Sequence, residues 1–269
     1  MNVYMSLSAD LINTLNSKVV LTCGERVAEY ALADAAKDEN GLYKFTIALT
    51  SIQMAEDVKV KVVGETSAVY TTSVKEYAEE LIATSENAYA VTLAKALLNY
   101  GAASQNYFAG KNGNADTLNA VLANAGLSAE DQIVPDVTAM PGFQRLMFSP
   151  YSSEGVTFTA ATIMFSSKTH IKVYFTASEH AKVTVDGKNV TPIKDGEEYY
   201  ITFTVDSPAN MMYPTSVAIS DGEEFAYCDF SAGLLVKVGT EANVSAELTA
   251  LLKAYAYYGM CAQEYLASV

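Results

Sequence analysis

The chain contains no tryptophan, two histidines and three cysteines in 269 residues. Each scarcity excludes something. Cys23, Cys228 and Cys261 are too few and too scattered for a disulfide scaffold, which normally carries four or more cysteines in a short chain. They read as small buried hydrophobes, Cys228 in a strand and Cys261 in a helix. His170 and His180 could bind zinc only by recruiting Glu179 or Asp186, at spacings looser than metal motifs use. Surface histidines are the simpler expectation, and no metal or cofactor is expected. Cations are also sparse, with 17 Lys and Arg against 31 Asp and Glu and a formal charge of −14. Phosphate backbones and anionic lipid are bound by clustered cations, so nucleic acid is not expected as a partner. No apolar run reaches the ~18 residues a spanning helix requires, so direct membrane insertion is not expected either.

The catalytic templates are missing too. No G-x-S-x-G elbow, G-x-x-x-x-G-K-[ST] phosphate loop, G-x-G-x-x-G turn, H-E-x-x-H helix, C-x-x-C pair or EF-hand loop occurs. Two carboxylates at a suitable separation can cleave glycosides. Here Glu79-Glu80 sit on an expected helix, and Glu197-Glu198 and Glu223-Glu224 adjoin turns, where solvated acids are usual. The chain is therefore read as non-enzymatic. Its start, Met1-Asn-Val-Tyr-Met-Ser-Leu, has no basic region, apolar core or cleavage site of a leader, and 2–7 already alternate like a strand. An excised piece of a longer polypeptide is expected.

What is present is half hydrophobic and only 18% charged, enough apolar surface to fold. The strongest pattern is internal. Residues 93–108, LAKALLNYGAASQNYF, align without gaps onto 251–266, LLKAYAYYGMCAQEYL, at a shift of 158, with seven of sixteen positions identical. The same shift pairs Gly64-Glu65 with Gly222-Glu223, Ala68 with Ala226 and Ser73 with Ser231. A diverged tandem duplication follows, strands first and helices last in each unit.

In the first unit, runs at 3–7, 19–23, 27–32, 43–49, 58–62 and 68–72 are rich in β-branched and aromatic residues at the spacing of a β-sandwich. Ser73-Val-Lys-Glu76 has the form of a capping box, so a helix is expected from Val74 to about Ala83 and a second from near Ser85. The second unit repeats this with strands at 156–165, 170–176, 182–185, 199–205, 217–220 and 225–230 and a helix over 244–266. Asp186-Gly187, Asp195-Gly196 and Asp221-Gly222 supply its tight turns. Alternation along 170–175 puts Ile171, Val173 and Phe175 on one face and His170, Lys172 and Tyr174 on the other, a half-exposed strand. The segment after Ser231 carries Gly233 and Val236 without an acidic cap and is expected to be short or frayed.

The fold class is thus α+β, a tandem duplication in which each unit is a small antiparallel β-sandwich followed by packed α-helices. The first unit spans 1–125, ending in a short helix over 114–125 with Leu118, Val121 and Leu122 inward. Residues 126–155 form a linker with Pro135, Pro141 and Pro150 that lies along one or both units, and 156–269 form the second unit. Separate units and one merged body are both compatible with the pattern. Gly101 and Gly259, matched and mid-helix, admit a close neighbour; a crossing of the two units' helices would merge them.

Eighteen tyrosines are the notable excess. A Tyr ring is apolar with a polar tip, suited to protein or sugar surfaces. Tyr100, Tyr107, Tyr258 and Tyr265 recur on helix faces and read as core. Partner contact is assigned instead to apolar residues in unrepeated places: Met211, Met212 and Tyr213 as an exposed patch, Phe148 and Tyr151 in the linker, and Tyr174 on the polar strand face.

SVKEYAEELI at 73–82 and LAKALLNYGAASQNYF at 93–108 resemble a repeat of large secreted or surface-attached proteins of anaerobic Gram-positive gut bacteria. IKVYF at 171–175 and VTVDGKNVTP at 183–192 resemble its companion half. The resemblance covers nearly the whole chain and carries no catalytic residue. It implies an extracellular or cell-surface location, and an adhesion module that binds a host or matrix protein such as an immunoglobulin. A carbohydrate-binding module, using Tyr where Trp is usual, and a structural spacer are the alternatives.

Overall fold

The computed structural model describes residues 1–14, 16–64, 68–109, 111 and 121–269. The first part of the chain runs β1 (Asn2–Met5), α1 (Ala9–Asn13), β2 (Lys18–Cys23), β3 (Arg26–Ala31), β4 (Tyr43–Thr46), β5 (Val58–Val63), β6 (Ala68–Thr72), α2 (Val74–Thr84) and α3 (Ala88–Phe108). The connector adds α4 (Pro141–Gln144) and β7 (Tyr151–Ser152). Then come β8 (Thr157–Phe165), β9 (Thr169–Thr176), β10 (Lys182–Val185), β11 (Lys188–Val190), β12 (Ile193–Asp195), β13 (Glu198–Val205), β14 (Thr215–Asp221) and β15 (Glu224–Phe230). α5 (Ala232–Glu241) and α6 (Ala246–Ser268) complete the chain. It is a mixed α/β protein with several antiparallel sheets, ordered β1-β4, β3-β2-β5-β6, β12-β13-β9-β8 and β11-β10-β14-β15-β7.

Side-chain alternation explains which face of each strand turns inward. Val19, Leu21 and Cys23 of β2 and Val58 and Val60 of β5 are buried, while Lys59 and Lys61 point to water. Ile171, Val173 and Phe175 of β9 are buried, with His170, Lys172 and Tyr174 partly open. The β10–β11 hairpin turns on Asp186 and Gly187, whose φ values of 48° and 75° match the two positive φ angles of a type I′ turn.

The same order, hairpin then capped helix then long helix, occurs twice. Ser73 Oγ accepts from the Glu76 N–H at 3.0 Å after β5–β6, and Ser231 Oγ accepts from the Leu234 N–H at 3.1 Å after β14–β15. The helix after Ser231 is not frayed as its composition suggested. It runs ten residues, because the Ser231 cap replaces the missing acid and Ala232, Leu234 and Val236 are buried.

The matched glycines do admit close neighbours, though not each other's helix. A Cβ on Gly101 would meet Met54 Sδ at 2.7 Å and Ala123 Cβ at 2.9 Å. A Cβ on Gly259 would meet Met211 Sδ and the Pro208 carbonyl, the latter at 2.9 Å. Each glycine therefore seats a methionine from its own half. The two long helices meet through tyrosine instead: the rings of Tyr100 and Tyr258 stack at 5.6 Å and 9°, and Tyr100 leans on Tyr255 at 5.5 Å. Tyr100 is buried, and Tyr107, Tyr258 and Tyr265 are half-buried.

Two buried clusters result. One gathers Val3, Val19, Leu21, Phe45, Val58 and Val60 from the strands before α2. The other unites the inward residues of the sheets after α4 with Ala78 of α2, Leu98 and Tyr100 of α3, and residues of α5 and α6. α2 and α3 thus pack with the later strands. The connector takes part, burying Val137 and Phe143. It is also strapped by matched lysines, Lys95 to Asp131 at 2.8 Å and Lys253 to Asp136 at 2.7 Å. The helix expected over 114–125 lies mostly outside the described residues, Leu118 included. Val121 and Leu122 are exposed, correcting the expectation that they pack inward.

Candidate interaction face

β9 and β13 lie in the middle of the four-stranded sheet, and their inward side chains cover the core, so their alternate residues must face out. Directly opposed residues line up as Ala160, Tyr174, Tyr200 and Ile193 across β8, β9, β13 and β12. Thr162, Lys172 and Thr202 form the next row, and Met164, His170 and Thr204 the third. Lys172 Nζ sits 3.6 Å from the Tyr200 ring centre and 4.4 Å from that of Tyr174, and the two rings are 5.7 Å apart. The Tyr174 hydroxyl and the two tyrosines hold the ammonium above its ordinary pKa. His170 Nδ1 lies 3.1 Å from Thr204 Oγ1. None of these ten residues is a carboxylate, but the next row of the same face pairs Asp195 with Glu198, and Asp195 also helps to raise Lys172.

A smaller aromatic group lies on the five-stranded sheet. Tyr151 of β7 is opposite Tyr227 of β15, and its ring is 5.8 Å from Phe225. The Tyr227 hydroxyl and Ser216 Oγ both donate to Asp229 Oδ1 at 2.6 Å, and the bond to Asp229 raises the Tyr227 pKa.

The residues singled out from sequence are dispersed. Met211 is a correction: it is 1% exposed, not part of an exposed patch, because it fills the space that Gly259 leaves. Met212 is half-buried, with its sulfur beside Gly233, and only Tyr213 of the three is well exposed. Phe148 is half exposed with its ring 6.0 Å from Phe230. Tyr151 joins the β7–β15 group, and Tyr174 joins Lys172 and Tyr200. Sequence reasoning missed Tyr200 and Ile193. The alternation of 198–205 could have placed Tyr200 outward, but its register against Tyr174 is set by strand pairing across 25 residues.

A cleft of about 390 Å³ opens where the early and late strands approach the long helices, lined by Met54, Leu97, Tyr100, Thr169, Tyr255 and Tyr258 among others. Burial pushes the Tyr255 phenol up to about 12, only partly offset by the Thr169 hydroxyl. The thiols are likewise pushed up by burial, Cys23 to about 12 and Cys228 and Cys261 to about 11, so they supply no thiolate at neutral pH. Among the described residues no three His, Cys, Asp or Glu side chains gather as a metal site, and no helix is long and apolar enough to cross a membrane. No family model matches the chain, and no curated protein or solved structure matches it.

Proposed function

We propose that the chain is a non-enzymatic interaction module of a secreted or surface-attached bacterial protein, and that it binds a host or matrix protein through the outward face of β12-β13-β9-β8. The observation that carries this reading is Lys172 held between Tyr174 and Tyr200 on the outward face of the four-stranded sheet. A chain of −14 repels acidic surfaces overall; here two rings, threonine hydroxyls and one cation can meet a neutral or acidic partner patch. Immunoglobulin is one partner of that kind. The extracellular setting rests on the resemblance of 73–82 and 93–108 to repeats of surface proteins. A tandem duplication of sandwich-plus-helix units is supported by the repeated Ser cap, the repeated Gly–Met contact and the repeated lysine strap.

The test is binding of immobilised chain to a panel of immunoglobulins and matrix proteins, beside the double variant Lys172→Glu, Tyr174→Ala. Both residues are partly exposed, so the variant should fold. Retention of one panel protein, weakened at least about tenfold by the variant, is the expected result. No retention at about 10 μM, or retention that the variant leaves intact, overturns the reading. A glycan reading is favoured by one observation, the Tyr227 and Ser216 hydroxyls fixed on Asp229 beside the Tyr151 and Phe225 rings, an aromatic platform with polar groups at its edge. A glycan array separates the two, since Tyr151→Ala would abolish sugar binding and leave protein binding unchanged.

A further inference from the structure

β8 ends its sheet, and its outer edge is open. It pairs with β9 alone, and among the described residues no other segment's backbone bonds to it. Its inward residues show the opening: Phe158, Ala161, Ile163 and Phe165 stay partly exposed, whereas Ile171, Val173 and Phe175 on the neighbouring strand are at 0–1%. Soluble proteins usually guard such an edge with charge, proline or brevity. This strand has none of these: TFTAATIMF is nine residues long and carries neither a charge nor a proline, and its one irregularity is a bulge between Phe158 and Ala160, which leaves 160–165 regular.

We propose that β8 pairs antiparallel with β8 of a second copy of this chain, about a twofold axis at Thr162. Three observations select this occupant. The strand is self-complementary about Thr162, since in that register Ala160 faces Met164 outward and Ala161 faces Ile163 inward, small against large in both layers. Register parity also agrees over 160–164, clear of the bulge: opposed residues in a sheet share a face, and a centre on one residue keeps these inward residues together. Charge is the third. Two copies at −14 repel, yet the outward residues of β8 and β9 that border this edge include no carboxylate, and the nearest cations, Lys172 and its symmetry mate, lie three strand spacings apart, about 14 Å. That separation exceeds the ~8 Å screening length at physiological salt. The product is an eight-stranded sheet, β12-β13-β9-β8 continued by its copy. This inference does not depend on the proposed binding function, although it would present the Tyr174, Lys172 and Tyr200 cluster twice on one surface.

Sedimentation of the full chain from about 1 to about 100 μM is the test. A dimer that grows with concentration is expected, and Thr162→Lys, which sets two ammonium groups across the axis, should weaken it at least about tenfold with no change in melting temperature. Thr202→Lys, on the same face but within the sheet, should leave the dimer intact. Oxidised Thr162→Cys should form a disulfide-linked dimer, because opposed Cα atoms in such a pair are about 4.5–5.5 Å apart; the chain's own cysteines are buried. A monomer across the whole range, or a dimer that Thr162→Lys does not weaken, overturns the proposal.

Discussion

The strands before α2 and those before α5 are built around the same inward contact and differ in what surrounds it. In the first, Val3 is opposite Phe45; in the second, Ile171 is opposite Phe203. Around the first pair the sheet stops at two strands, β1 and β4, and its outward side chains are few: Tyr4 opposite Lys44, with Lys44 Nζ 6.0 Å from the ring, and Asn2 bonded to Thr46 at 2.8 Å. Around the second, β8 and β12 widen the sheet to four and create a broad outward face. Inward positions are constrained by the core they cover, whereas outward ones are free to diverge. The candidate binding face therefore lies on the wider sheet, on the side that packing does not constrain.

The sharpest way to break this comparison is through the two buried clusters. Phe45→Ala and Phe175→Ala each remove a ring exposed by 2% or less, and each should cost about 3–5 kcal/mol. Their consequences should differ in extent. Phe45 belongs to the cluster confined to the early strands, so hydrogen exchange in Phe45→Ala should quicken in β1–β5 while α3 and α6 stay protected. Phe175 shares a cluster with both long helices, so Phe175→Ala should quicken exchange in β8–β15, α3 and α6 together. Equal loss of α3 protection in both variants would show that the clusters do not melt as distinct units.

The part of this organisation readable in advance was the part set by local chemistry. Ser73 announced its helix because a hydroxyl three residues before Glu76 has one obvious donor to accept from. Alternation in 170–175 was enough to orient Tyr174. Met211 was misread because a methionine after Ser207-Pro-Ala-Asn looks like a loop residue, and its partner Gly259 is 48 positions away. A signal existed, since Met54 precedes Gly101 by 47, the same pairing in the other half. β7 and α4 were invisible for a different reason. Two strand residues and one helical turn have too little periodicity to register, and they exist because β15 and the buried Phe143 hold them. Why Lys172 should lie over both Tyr174 and Tyr200 could not be read either, because Tyr200 comes from a strand whose register only folding fixes.

A smaller effect sharpens the repeated Gly–Met contact. Replacing a mid-helix glycine by alanine gains up to about 1 kcal/mol in helix propensity, so any loss must come from crowding. At Gly259 the new methyl meets the Pro208 carbonyl, a backbone atom that cannot swing aside, as well as Met211 Sδ. At Gly101 the nearest atoms are the end of the flexible Met54 side chain and the Ala123 methyl. Gly259→Ala should therefore lose about 1–3 kcal/mol in urea unfolding and Gly101→Ala less than about 1. Equal losses would mean that the two seats are equally rigid, and that the difference between halves is confined to the sheets.

The smallest effect concerns the matched lysines, which strap the connector to α3 and α6. Lys253 and Lys95 hold the carboxyls of Asp136 and Asp131 below their ordinary range, mainly through direct hydrogen bonds aided by Thr138 and Ser128 respectively. A carboxyl whose pKa is depressed by folding stabilises the native state fully only above its unfolded value, and that contribution disappears as pH falls through the lower folded value. The straps should thus be intact at neutral pH, begin to lose their contribution below about pH 4, and be released only as pH falls through the lowered folded values. Both pairs are substantially solvated, which limits what each can contribute. Asp136→Asn should lower the melting temperature by about 1–2 °C at pH 7 and by progressively less as acid protonates the native aspartate. A difference that persists undiminished into acid would assign the role of Asp136 to its bonds with Thr138, which an asparagine carbonyl can also accept, and would leave Lys253 without a part in holding the connector.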